Sequence, residues 1–379
     1  MTSPDNRYEL KLQNDGNLVV YSATGRVIWA SGVDPAPEPA PPVPVRPPPT
    51  DTWPRLGASY YTSLTDPRID PVAFATRLAD LGVTYTRVWL LDAWAVSAAG
   101  GTGCYDGFVP WVRGTDGRFD LWTVDPRYLD RLRAYVEAMT AHGILVQLSG
   151  LELYWSQRKA GLLWVPDAAR GPFRLNRQGV CYRDDDAFDR IAQPSGPDAF
   201  LGHFYATVVA ALAGLPYTVE LGNEMPEKPL HARLASAWRA AGYTGSISVN
   251  RQDDTPGQFA NMKIGQPGGY DRLALHGKRD LGYLDEDYPE EPRYRTFRAF
   301  YASGPDPSRI ILSSDGCRAS TDVEAAYDYP ALSLVARDAL ARGSSYEHQL
   351  ALKLRGFTHG TLTLDDLAFD APFLRLLAR

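Results

Sequence analysis

The stretch Tyr217-Thr218-Val219-Glu220-Leu221-Gly222-Asn223-Glu224 decides how this chain reads. Tyr, Thr and Val favour extended backbone, and the run is short and closed by a glycine, so it predicts a buried strand over Tyr217–Gly222. Helical periodicity precedes it over Pro197–Ala213 and follows it over Leu230–Ala241. The local unit is helix, strand, helix, with Asn223-Glu224 just past the C-terminal end of the strand.

The same alternation extends in both directions. Further strands are predicted at Leu56–Tyr61, Tyr85–Leu91, Ile144–Leu151, Ser246–Asn250, Leu273–His276, Ile310–Ser314 and Phe357–Leu362. Further helices are predicted at Pro71–Leu81 and Pro126–His142. Pro71 and Pro126 stand at helix entries, and Gly82, Gly143 and Gly242 follow helix ends. Eight strands separated by helices predict an α/β chain folded as a (β/α)8 TIM barrel over residues 51–379. A doubly wound sheet is the rival, but no Gly-rich phosphate loop follows the first strand. Residues 92–123 and 152–196 are too long for plain connections, and long βα loops build substrate clefts.

Residues 34–50, DPAPEPAPPVPVRPPPT, form a Pro-rich, semi-rigid linker that cannot build a core. They leave a head over residues 1–33. There Tyr8–Gln13 and Leu18–Tyr21 flank the turn Asn14-Asp15-Gly16-Asn17, and a second turn at Ala23-Thr24-Gly25 leads to Arg26–Trp29, so a β meander is predicted. Gln13, Asp15, Asn17, Val19 and Tyr21 spell Q-x-D-x-N-x-V-x-Y. This resembles the sugar site of bulb-type mannose-binding lectins, which implies that the four polar side chains hydrogen-bond mannose hydroxyls while Val19 packs on the ring. The family's β-prism carries three such repeats and this head carries one. A segment of this size buries little, so the alternative is a vestigial repeat that orders only by docking or pairing.

Of the 379 residues, 44% are hydrophobic and 22% charged, with a formal net charge of −6, a globular and mildly acidic balance. That argues against nucleic acid or an anionic membrane as the main partner, and no apolar run is long enough for a spanning helix. The first residues, MTSPDNRYEL, carry no apolar signal core; an extracellular location is expected, with any signal removed or lying outside this sequence. Cys104, Cys181 and Cys317 match no zinc spacing and are read either as one Cys104–Cys181 bridge or as free thiols. The 6 histidines show no ligand spacing, so neither metal nor cofactor is implied. Oligomeric state has no signature here.

Two carboxyl groups flanking a bond are what glycoside hydrolysis needs, and in a barrel they sit at strand C-termini. Glu224 meets that condition, with Asn223 beside it to contact a sugar 2-hydroxyl. Val219–Glu224 followed by Met225-Pro226, Thr86-Arg87-Val88-Trp89-Leu90 and Leu275-His276 resemble the fourth, second and sixth strand motifs of clan A glycoside hydrolases, which include the family 5 cellulases and β-mannanases. The resemblance implies a retaining enzyme acting on β-linked oligo- or polysaccharide, with Glu224 as acid/base, Arg87 near the nucleophile, and Asn223 and His276 on substrate. The family's strand-seven Glu is replaced here by Asp315, in Arg309-Ile310-Ile311-Leu312-Ser313-Ser314-Asp315-Gly316. Three readings stay open: Asp315 attacks; Asp315 activates water and the enzyme inverts; or Glu152 or Glu347 attacks instead. Arg87 alternatively pairs with a core carboxylate, and Glu220 reads as a polar residue of the barrel interior. Trp94 and Trp155 are candidate sugar platforms, as are Trp111 and Trp164; the alternative for each is a local loop core. Two other functions remain: a non-catalytic carbohydrate-binding protein on a hydrolase barrel, and a transglycosylase.

Overall fold

A computed structural model describes residues 8–12, 18–22, 27–30, 52–53, 55–60, 63–90, 108, 110–113, 119–150, 164–167, 171–174, 199–222, 228–251, 263–266, 269–276, 306–314, 336–350 and 370–378. The chain divides into two compact units, Met1–Pro44 and Val45–Arg379, with the division inside the Pro-rich run. In the first unit, β1 (Tyr8–Leu12), β2 (Leu18–Ser22) and β3 (Val27–Ala30) form the expected antiparallel meander. Glu9 is paired with Tyr21 and Lys11 with Val19, and the Lys11 ammonium lies 2.9 Å from Glu9. Val19 and Tyr21 therefore sit in β2, whereas Gln13, Asp15 and Asn17 lie outside the described residues.

The second unit is a closed barrel of eight parallel strands. They are β4 (Leu56–Ser59), β5 (Tyr85–Trp89), β8 (Leu145–Ser149), β11 (Tyr217–Glu220), β12 (Ile247–Arg251), β13 (Arg272–His276), β14 (Ile310–Ser314) and β15 (Ser345–Gln349), with β15 pairing back onto β4. The long connections carry two antiparallel hairpins, β6 (Trp111–Arg113) with β7 (Phe119–Val124), and β9 (Trp164–Asp167) with β10 (Gly171–Arg174). Helices α1 (Pro71–Asp80), α2 (Pro126–Ala141), α3 (Ala199–Ala211) and α4 (Lys228–Ala240) fall where periodicity places them. Asp70 and Asp125 cap the first two, accepting from the backbone N–H of Ala73 at 2.7 Å and of Arg127 at 2.9 Å, with proline in the first turn. After α2 the chain reverses through Gly143 at φ 73°, a conformation that costs residues with a Cβ.

Two apolar layers hold the barrel. Outward side chains such as Val88, Val146, Leu148, Val219, Leu273 and Leu312 meet helix residues Phe74, Leu78, Tyr135, Met139, Phe204 and Trp238 in one large core. Tyr205 stacks on Trp238 with ring centroids 4.2 Å apart. Inside the barrel, Tyr85, Ala274 and Ile311 form a separate cluster against Trp53, whose ring meets Tyr85 edge-on at 5.2 Å. Gly57 makes room for this plug, since a Cβ there would stand 2.2 Å from Cδ1 of Tyr85.

The eighth strand needs a correction. It is Ser345–Gln349, not Phe357–Leu362, which lies outside the described residues. Ser-Tyr-Glu-His-Gln is too polar to read as a barrel strand by apolar content. It works as one because its polar groups have partners: Glu347 faces a buried arginine, and His348 Nε2 lies 2.8 Å from Asp370 Oδ1, at the entry to the C-terminal helix Ala371–Leu377. Cys104, Cys181 and Cys317 all lie outside the described residues.

Two outcomes follow from the packing. Gly57→Ala should lower stability by about 1–3 kcal/mol in urea unfolding, and the loss should largely vanish in a Tyr85→Leu background. Burial pushes the phenols of Tyr85, Tyr128, Tyr135 and Tyr205 up, that of Tyr135 to about 12. With folded values above the unfolded value of about 10, their contribution to stability is present below about pH 10 and is lost as pH rises beyond it. Absorbance titration at 295 nm should show this group ionising only together with loss of near-ultraviolet circular dichroism.

Candidate active site

The barrel interior is polar above the Tyr85 plug. The Tyr85 hydroxyl donates to Gln147 Oε1 at 2.5 Å, and Gln147 Nε2 donates to Ser248 Oγ at 3.1 Å. Two residues further along β5, on the same face and nearer the strand C-termini, stands Arg87, wholly buried. Its Nη1 lies 3.2 Å from Glu220 Oε2 on the fourth strand, and its Nε lies 3.2 Å from Glu347 Oε1 on the eighth. Its Nη2 donates to Ser313 Oγ on the seventh strand at 3.3 Å. Asn250 Nδ2, on the fifth strand, donates to Glu220 Oε1 at 3.1 Å. The backbone N–H of Arg87 donates to Ser59 Oγ on the first strand at 2.9 Å.

Side chains of the fourth, seventh and eighth strands thus meet the Arg87 guanidinium, with Asn250 behind Glu220 and Ser59 on the Arg87 backbone. Glu220 and Glu347 are as buried as Arg87, at 0% and 1% exposure. Two carboxylates and a cation removed from water are costly, so the arrangement needs its full set of hydrogen bonds. The Tyr85 phenol beneath senses it: burial pushes its pKa well up, the Glu347 charge adds to that, and Arg87 opposes it.

The expected site residues follow the same ends of the same strands. Glu220 ends β11; its carbonyl accepts from Gly150 N–H at 2.8 Å, and Leu221 N–H donates to the Ser248 carbonyl at 3.0 Å. Asn223 and Glu224 come next after Gly222 in sequence, and Asp315 comes next after Ser314, the last residue of β14. His276 closes β13, with its backbone in register with Ser313. Asn223, Glu224, Asp315, Trp94, Trp155 and Glu152 lie outside the described residues.

Of the two roles open to Arg87, pairing with core carboxylates is observed, and Glu220 is the interior polar residue it was expected to be. Glu347 is corrected: it lies within strand eight rather than before it, buried and held by Arg87, without the access an attacking carboxylate needs. Trp111 is also buried, its ring centroid 6.1 Å from that of Phe204, and belongs to the large core between helices and strands. Trp122, on the neighbouring strand of the same hairpin, is 48% exposed. Asn250, Ser313 and Ser59 were not anticipated. Their signal is polar residues at every second position of otherwise apolar strands, as in Ser248-Val249-Asn250, which in a barrel points inward. Among the described residues, no group of three or more His, Cys, Asp or Glu could hold a metal ion. No described helix is long and apolar enough to cross a membrane.

No protein-family model and no curated protein matches the chain. Solved structures do. One, described as a glycoside hydrolase, has a TM-score of 0.53 at 11% identity over 100% of this chain and 75% of its own. A family 5 glycoside hydrolase from Prevotella bryantii B14 has a TM-score of 0.51 at 12% identity, covering 86% of this chain and 96% of its own. The likeness is one of fold: the chain's barrel is similar to that of a family 5 glycoside hydrolase. The match to a family 5 enzyme from Bacteroides vulgatus ATCC 8482 has a TM-score of 0.49 at 13% identity and covers 90% of this chain, but only 62% of that enzyme's length.

Arg87→Met should cost about 3–5 kcal/mol in chemical denaturation, because it strands two buried carboxylates. Combining it with Glu220→Leu and Glu347→Leu should recover most of that loss, since an apolar trio needs no counter-charge.

Proposed function

We propose that this chain is a glycoside hydrolase acting on β-linked oligo- or polysaccharides by a retaining two-carboxylate mechanism. One observation carries the reading: in a closed parallel barrel the fourth strand ends at Glu220, three residues before Asn223-Glu224, and the seventh ends at Ser314, next to Asp315, at the end where barrels keep their active sites. Glu224 protonates the leaving oxygen as Asp315 attacks the anomeric carbon. Glu224 then deprotonates the water that releases the sugar. Negative charge on Asp315 keeps the Glu224 carboxyl protonated until the glycosyl ester forms, when that charge is consumed. Asn223 and His276 hold the sugar, and Trp94 and Trp155 supply flat faces for neighbouring rings. The head, residues 1–33, adds a mannose-type site at Gln13, Asp15, Asn17, Val19 and Tyr21 that brings the enzyme to a mannose-bearing glycan, and the protein works outside the cell.

Glu224→Gln should lose on the order of 10²–10⁴-fold in kcat on a panel of aryl β-glycosides, with Asp315→Asn similarly impaired. Proton NMR of the first-formed product should show the substrate's own anomer. The shorter side chain of Asp315 favours one second reading, a carbohydrate-binding protein on a hydrolase barrel. Equal, negligible turnover by wild type and Glu224→Gln on every substrate selects it.

A further inference from the structure

We infer that Glu347 is a positioning residue: on the eighth strand it fixes the Arg87 guanidinium within its plane so that Nη2 is directed at the seventh strand, two residues before Asp315. The inference rests on the hydrolase reading above and adds to it a residue with no access to substrate.

Among the described residues, the guanidinium meets three partners, one at each nitrogen. Glu220, itself oriented by Asn250, receives Nη1 through both oxygens, at 3.3 and 3.2 Å. A contact at that one corner leaves the planar group able to pivot about it. Glu347 accepts the hydrogen on Nε, at 3.2 Å, and so supplies a second fixed point that stops that pivot within the guanidinium plane. With Nε and Nη1 held, Nη2 projects to Ser313 at 3.3 Å. Here Glu347 binds Nε while the adjacent Nη2 reaches another strand.

The charge arithmetic agrees. Arg87 already has a buried counter-ion in Glu220, so a second buried carboxylate adds a desolvation cost that pairing alone does not require. Orientation is what it contributes. Removing Glu347 leaves the Arg87–Glu220 pair in place, so the barrel should still fold, with Arg87 less well aimed.

The test compares full-length wild type, Glu347→Leu and Glu347→Gln on 4-nitrophenyl β-D-glucopyranoside and β-D-mannopyranoside, with Tm measured alongside. Glu347→Gln keeps an oxygen that accepts from Nε; Glu347→Leu does not. The expected result is a Leu variant with Tm within a few degrees of wild type, kcat down on the order of 100-fold and KM within about 3-fold, and a Gln variant that recovers kcat to within about 10-fold of wild type. A folded Leu variant with wild-type kcat overturns the inference. So does equal loss in both variants in step with a fall in Tm, which marks Glu347 as purely structural. Absence of turnover by wild type on these and every other glycoside tried overturns the hydrolase reading, and the inference with it.

Discussion

A guanidinium sealed inside a barrel has to find its counter-charges there. Arg87 finds them on the fourth and eighth strands, in Glu220 and Glu347, and a hydroxyl on the seventh, in Ser313. At about 4 Å and an effective dielectric of about 20, each ion pair is worth about 4 kcal/mol. Taking each ion out of water costs several kcal/mol. The two nearly cancel, so the cluster is not there chiefly to make the barrel stable. What it provides is register. Slipping the second, fourth or eighth strand by one residue would turn its charged member away from the interior and strand its partner. The ends of the fourth and seventh strands are thereby fixed relative to one another, and the sequence continues from them into Glu224 and Asp315.

The apolar architecture around this cluster explains why so much of it is polar. Helix faces and outward strand residues such as Val146, Val219 and Leu312 form the main core. Within the barrel the apolar part is the small plug of Tyr85, Ala274, Ile311 and Trp53. Above the plug the interior is free to be hydrogen-bonded rather than greasy, and the Tyr85–Gln147–Ser248 chain and the Arg87 cluster occupy it. A rigid, polar, buried platform under the strand ends is what a site that develops charge during reaction calls for.

Most of this was legible in the residues because most of it is periodic. Seven of the eight barrel strands were read as apolar runs flanked by helices with proline entries and glycine exits. The eighth strand escaped because Ser345–Gln349 is held by its polar partners, and a window that scores apolar content passes over such a strand. Glu347 was noticed as a carboxylate, yet its role depends on Arg87, 260 positions away. Contacts at that separation are set by barrel closure, not by local pattern. The hairpins β6–β7 and β9–β10 were read only as long loops, because they stand outside the helix–strand alternation by which the equally short barrel strands were read.

A two-carboxylate mechanism, as proposed, makes Asp315 the group that takes the sugar. Trapping is its most direct measurement: incubation with an activated 2-deoxy-2-fluoro β-glycoside, followed by proteolysis and peptide mass spectrometry. One fluoroglycosyl adduct per chain is expected, on the peptide containing Asp315, and none in Asp315→Asn. An adduct on any other carboxylate, or product of inverted configuration with no adduct, would contradict it.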